Sequence, residues 1–309
     1  LGPYVPAKDL EPEAILKAMT LDEKISYLSG INNFCIKPIE RLGVPSAVCA
    51  DATSGIRNIV VDGTILPCGM AMAASFDKDL IRKAARVVAR DGRRAGISIL
   101  LGPGVNITRI PTGGRNFEYY SEDPLIAGKM AAYTNRGTMK YGVYSYAKHF
   151  LLNDQENSRA GIFCWANEQS IRQIYLRAFE QYVYEGGKGF MSSFSRIGSV
   201  WTGAHGFLNT VCRDEWGFHG VVITDWINPQ LMPVNAGLRG GNDLWLLHNT
   251  SIDASATCNQ TPHDGIALLK RAAKNILWVC ANSNCVWTEE EYAELGVNVD
   301  FSQMGYTNI

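Results

Sequence analysis

An acid closes the apolar run "GVVITDW" at residues 220–226. Val221 to Thr224 have the continuous apolar and β-branched character of a buried strand, and Asp225 follows directly with Trp226 beside it. A carboxylate buried without partners is very costly, so Asp225 must be paired, hydrogen-bonded or open to a cleft. In a cleft it can break bonds as a nucleophile, a task that commonly needs a second carboxylate. Trp226 would then supply an apolar stacking wall of the kind found in sugar sites.

Three other stretches hold residue types that could serve the same site. "CADATSGIR" places Asp51 at the end of a predicted strand, where a helix or turn cap is the competing reading. "GPGVNITRIPTGGRNFEYYSEDP", residues 102–124, carries Arg109, Arg115, Glu118, Glu122 and Asp123 on a long stretch without periodicity. As a plain loop its charges would be solvated, but loops of that length are usually functional, and Arg115 could clamp hydroxyls or a carboxylate with two hydrogen bonds. Its "GPG" matches neither the dinucleotide nor the P-loop pattern. "AKHF" ends a strand on adjacent Lys148 and His149. Successive strand residues point to opposite faces, so both can serve one site only through a bulge or an irregular peptide, which the sequence predicts at this point. The five histidines lack ligand spacing, which predicts no metal; no cofactor is expected, and "MSSFS" is not a nucleophile elbow.

These residues need elements to hold them. Strands are predicted at 45–51, 97–101, 144–150, 189–194, 220–226 and 243–247. Helices are predicted at 12–29 (with a Thr20–Glu23 capping box partway along), 77–95 (with Asp77 as N-cap), 124–140, 167–185 and 264–283. Continuous apolar strands alternating with amphipathic helices imply a parallel sheet covered by helices, either an open doubly wound sheet or a barrel. Asp51, the 102–115 loop, Lys148–His149 and Asp225 all fall at the C-terminal ends of different strands, which is the barrel arrangement. The expected fold is therefore α/β, a TIM-type (β/α) barrel with fewer than eight regular βα units.

Composition narrows the class. The 309 residues are 46% hydrophobic and 19% charged, enough for a sizeable core, and the net charge of −1 comes with no basic stripe for nucleic acid. No apolar run approaches a membrane span. Eight scattered cysteines without Cys-x-x-Cys read as free thiols of a reducing compartment, with disulfides as the other reading, so a cytoplasmic location is expected and a secreted one is the alternative.

Long motifs in order, "TILPCGMAMAASFD", "GPGVNITRIPTGGRNFEYYSEDPLIAGKMAA", "AKHFLLNDQE", "IRQIYLRAFE" and "DEWGFHGVVITDW", resemble the barrel domain of glycoside hydrolase family 3, from about residue 12 to 283. The resemblance implies a retaining β-glycosidase, most simply a β-glucosidase, with Asp225 as nucleophile. It implies that Asp51, Arg115, Lys148 and His149 bind the hydroxyls of the sugar, with Trp226 as aromatic wall and Met191 and Arg159 as neighbours. Glu118 is expected to orient Arg115. A non-hydrolytic sugar-binding barrel and a β-glycoside phosphorylase are the alternatives.

The sequence also departs from that pattern. "ADATSG" replaces the commoner Asp-Gly-Pro-Ser-Gly, and Phe194 stands where many members have tyrosine. The α/β sandwich domain that supplies the acid/base glutamate in most family β-glucosidases is not recognisable, and residues 1–309 read as one barrel. "MSSFSRIGSVWTGA" and "AAKNILWVCANSN" look most like members in which the sandwich precedes the barrel. The expected partners are a β-linked glucoside and a separate sandwich domain or chain carrying the acid. Glu156, in "NDQENSR", is the in-chain candidate for that acid, with loop-holding as its other reading.

Overall fold

The computed structural model describes residues 10–32, 34–57, 63–226, 231–246, 262–286 and 290. Leu247, His248 and Cys258, which entered the sequence reading, lie outside them, as does the side chain of His263.

The strands are β1 (Gly30–Ile31), β2 (Cys35–Ile36), β3 (Ala47–Asp51), β4 (Ile97–Leu101), β5 (Tyr144–Ser145), β6 (Ala147–Phe150), β7 (Phe163–Cys164), β8 (Gly189–Ser192), β9 (Arg196–Ile197), β10 (Val200–Trp201) and β11 (Val221–Thr224). The helices are α1 (Pro12–Ala18), α2 (Leu21–Tyr27), α3 (Gly69–Ala73), α4 (Lys78–Arg94), α5 (Pro124–Met139), α6 (Glu168–Ser170), α7 (Leu176–Tyr184), α8 (Val234–Gly240) and α9 (Pro262–Asn282). A π-helical turn, Ile171–Tyr175, joins α6 to α7.

Local chemistry sets the boundaries. Asp77 accepts from the backbone N–H of Asp79 and Leu80 to start α4, and Asp123 with Pro124 behind it starts α5 in the same way. The single helix expected at 12–29 is two helices. Thr20 and Glu23 exchange side-chain and backbone hydrogen bonds of 2.8 and 3.1 Å, so the capping box opens α2 and ends the run of α1. The strand expected at 243–247 is reduced to single bridges at Leu244 and Trp245, and the one expected at 189–194 ends at Ser192.

Strand pairing proceeds β1–β2–β3–β4–β5 in one sheet and β6–β8–β11 in a second, and β5 and β6 are consecutive stretches of one chain segment. Isolated parallel bridges then link Ile223 to Leu244 and Trp245 to Ser29, beside β1. The pairing thus returns to its starting point, as a barrel requires. It is irregular: β2 pairs antiparallel with both β1 and β3, while β3, β4 and β5 are parallel to one another, as are β6, β8 and β11. A small third sheet, β7–β9–β10, stands apart. No described helix is long and apolar enough to cross a membrane.

The side chains alternate between two apolar layers. Ala47, Cys49, Ile99, Leu101, Tyr144, Tyr146, Met191, Val221, Ile223, Leu244 and Leu246 share one core cluster, every second residue along their strands. Their neighbours face the helices: Val48, Ala50 and Leu100 pack with Val88 and Ala89 of α4, and Ala147, Phe150, Phe190 and Val222 with α5 and α7. Phe190 is stacked between Phe150 and Phe218, with ring centroids 5.5 and 4.4 Å away. Truncating such a ring to alanine costs about 3–5 kcal/mol.

Candidate active site

The inner ladder explains which residues surround the site. One step beyond Cys49 is Asp51, beyond Tyr146 is Lys148, and beyond Ile223 is Asp225. With Leu101 and Met191, the last inward residues of their own strands, and Leu246 just beyond the Leu244 and Trp245 bridges, they line a cavity of about 360 Å³. Arg115, His149, Arg159 and Trp226 complete its polar and aromatic wall, together with Phe34 from the turn between β1 and β2. The expected nucleophile and sugar-binding residues therefore border one cavity, whereas Arg109, Glu118, Glu122, Asp123 and Glu156 are not among its lining residues. Phe34, Leu101 and Leu246 were missed. Alternation alone would have found the two leucines, whereas Phe34 follows strands of two residues that carry no periodic signal.

His149 breaks the alternation. The Lys148–His149 peptide is cis, the β6–β8 register shifts between Lys148 and Phe150, and both side chains reach the cavity. The irregularity expected from adjacent Lys and His is present. Asn106 holds the segment in place, accepting from His149 N at 2.6 Å and donating to His149 O at 2.9 Å.

Lys148 Nζ, almost fully buried, donates to Asp51 Oδ1 at 2.8 Å and lies 3.7 Å from Glu118 Oε2. Glu118 accepts from Arg115 Nε and, at 3.0 Å, from Thr53 Oγ1. Burial pushes the Asp51 and Glu118 carboxyls up, but the Lys148 ammonium, with Arg115 behind it, holds both below the ordinary carboxylate range. Two glycines let this layer close: a Cβ on Gly104 would meet Tyr119 Cδ1 at 2.6 Å, and one on Gly69 would meet the Tyr119 carbonyl oxygen at 3.0 Å. The glycines of the 102–115 loop thus serve close approach.

Asp225 is anchored through its backbone N–H to Ser192 O at 3.0 Å, and its Oδ1 accepts from Trp226 N at 2.6 Å. Among the described residues its Oδ2 accepts no hydrogen bond, and His149 Nε2 at 3.7 Å and Arg159 Nη1 at 3.9 Å stand near it. Burial raises the Asp225 carboxyl above its ordinary value, against the pull of Arg159, the Trp226 N–H, Arg115 and Lys148. Burial, aided by Arg115, Lys148 and Arg159, also drives the His149 imidazole well below 6.5, so it is neutral. His149 Nδ1 lies 3.2 Å from Tyr119 Oη, which also donates to Asn153 O at 3.1 Å. Trp226 is half-exposed, with its ring tilted 49° against Phe34 at 5.4 Å.

Glu156 is engaged on both oxygens. Oε1 accepts from Asn153 Nδ2 at 2.9 Å with Arg115 Nη1 at 4.0 Å, and Oε2 lies 3.1 Å from Arg159 Nη1. Among the described residues no three His, Cys, Asp or Glu side chains are grouped to hold a metal ion. The described cysteines form no disulfide, and Cys35, Cys49, Cys212, Cys280 and Cys285 are buried.

Fold and site together define a (β/α)-barrel protein that gathers its charged side chains over the C-terminal ends of its strands. Comparison with known proteins gives the family. Residues 19–256 match the model of the glycosyl hydrolase family 3 N-terminal domain. The probable beta-glucosidase J of Neosartorya fischeri is 36% identical over 234 residues, which cover 73% of this chain and 27% of that protein. The crystal structure of beta-glucosidase from Kluyveromyces marxianus superposes with a TM-score of 0.84 at 28% identity, covering 94% of this chain and 35% of that one. Beta-glucosidase 3B from Thermotoga neapolitana, solved in complex with alpha-D-glucose, gives a TM-score of 0.82 at 28% identity, covering 92% of this chain and 45% of that one. The chain belongs to glycosyl hydrolase family 3, and it spans well under half the length of the relatives it matches.

Proposed function

We propose that this barrel carries the sugar site of a retaining β-glycosidase acting on β-glucosides, with Asp225 as the nucleophile. The observation that supports it most is the state of the Asp225 carboxylate at the cavity: Oδ1 is held by a backbone N–H, and Oδ2 accepts no hydrogen bond among the described residues. The relatives' names and the glucose-bound neighbour support the glucoside. Asp51, Lys148, Arg115 and His149 bind hydroxyls, Arg159 attends the nucleophile, Met191 packs beneath, and Trp226 forms the aromatic wall. Asp225 Oδ2 attacks the anomeric carbon as its bond to the leaving oxygen breaks, giving a glycosyl-enzyme. Water then displaces the carboxylate and releases the sugar.

The leaving oxygen must gain a proton. Glu156 is committed to Asn153, Arg115 and Arg159, which favours a holding role. The acid/base is supplied from outside the described residues, by an α/β sandwich domain of the kind the family carries. The test is intact mass and peptide mapping after incubation with an activated 2-fluoro-glucoside, which requires the nucleophile but no acid. The expected result is one sugar adduct on Asp225 that is absent from Asp225→Asn. A folded chain that stays unlabelled, while a full-length relative labels in the same assay, would overturn the reading.

A further inference from the structure

Residues 51–55 read Asp-Ala-Thr-Ser-Gly, so Thr53 occupies the place of the proline in the commoner Asp-Gly-Pro-Ser-Gly. A proline has no hydroxyl to give. Thr53 Oγ1 donates to Glu118 Oε2 at 3.0 Å. The Thr53 methyl lies 3.1 Å from the point a Cβ on Gly102 would occupy, so glycine there leaves room for it. A β-branched side chain has few χ1 choices, and this packing aims its hydroxyl at Glu118.

Glu118 has a fully buried side chain and two cations to serve: Arg115 on Oε1, and Lys148 Nζ 3.7 Å from Oε2. Lys148 Nζ donates instead to Asp51 Oδ1 at 2.8 Å. The Thr53 hydroxyl supplies Oε2 with the donor that Lys148 would otherwise provide. We infer that Thr53 is a positioning residue of the sugar site: through Glu118 it leaves Lys148 paired with Asp51 at the cavity wall. The inference rests on the reading of this cavity as a sugar site.

The test is glucose affinity, followed by calorimetry or by the emission of Trp226, for Thr53→Val, Thr53→Ala and Thr53→Ser, with thermal melts to establish folding. A hydrogen bond to a charged group has a worth that predicts about tenfold weaker binding for Thr53→Val. Thr53→Ala carries the same expectation should valine fail to fold beside Gly102. Thr53→Ser keeps the hydroxyl and should bind within about twofold of the wild type. Folded valine and alanine variants that bind like the wild type overturn the inference. So does a serine variant as weak as valine, because the methyl packing would then be the cause. A wild-type chain that binds no glucose sinks the sugar-site reading, and the inference with it.

Discussion

Arg159 Nη1 lies 3.9 Å from Asp225 Oδ2, the carboxylate oxygen that accepts no hydrogen bond, and the same nitrogen lies 3.1 Å from Glu156 Oε2. One guanidinium therefore stands between the proposed nucleophile and the nearby acid. Burial opposes the charge on Asp225, and Arg159 is the foremost group relieving it. Arg159→Met should leave Asp225 harder to ionise. The acid limb of 2-fluoro-glucoside labelling should move up by about one pH unit, the scale of a single nearby charge, and Arg159→Lys should restore most of it. A pH–rate profile of labelling checks this, and an unmoved limb would show that Arg159 does not tune the nucleophile.

Glu156 can be tested as acid or as holder by leaving group. Loss of a general acid typically costs about 10²–10⁴-fold and weighs on poor leaving groups. A residue that holds Arg159 and Asn153 should slow a dinitrophenyl glucoside and an alkyl glucoside alike. Glu156→Gln is expected to show the second pattern in kcat/KM. A loss confined to the alkyl glucoside would make Glu156 the acid.

His149 and Asp225 bend the stability curve in opposite directions. The folded chain keeps His149 neutral well below 6.5, whereas the unfolded chain protonates it near that value. Stability should therefore fall as pH drops beneath about 6.5, and His149→Gln should flatten that decline. The raised carboxyl of Asp225 holds its proton longer in the folded chain, so its contribution shrinks as pH rises above 3.8 through the folded value. Asp225→Asn should be at least as stable as the wild type at neutral pH while losing all labelling. Thermal melts across pH test both statements, and a lower melting temperature for Asp225→Asn at neutral pH would contradict the second.

Asp154 offers a separate titration. It is 8% exposed, its Oδ1 has no hydrogen-bond partner among the described residues, and burial, only partly offset by Arg109, raises its carboxyl to about 7. Ionising it costs folding free energy, so wild-type stability should decline as pH rises toward that value and level off above it. Asp154→Asn removes the ionisation. It should exceed the wild type by roughly 2–4 kcal/mol at pH about 8 and match it more closely near pH 5. Urea denaturation at the two pH values decides, and equal gaps at both would refute the assignment.

Much of the site was legible before any coordinates. Asp51, Lys148 and Asp225 announce themselves as charged residues closing apolar strands, and period-two alternation carries them to one side of the sheet. Arg115 and Arg159 lie on stretches without periodicity; the length of its loop pointed to Arg115, and only the family resemblance pointed to Arg159. Phe34 had neither signal, because strands of two residues leave no pattern, and its place beside Trp226 comes from a turn. The helix at 12–29 was misread as continuous for the opposite reason: its apolar pattern runs on, but the Thr20–Glu23 capping box is a local start signal that outweighs it.

What the sequence by itself determined is the longer inner strands, the Thr20–Glu23 and Asp77 caps, and which acids end which strands, since these follow from alternation and hydrogen bonds between residues a few positions apart. What only the tertiary structure decided is the pairing of charges: Lys148 with Asp51 across 97 positions, Thr53 with Glu118 across 65, and Arg159 between Glu156 and Asp225. Those distances depend on how the strands close around the inner core, and their strength on the burial that closure creates.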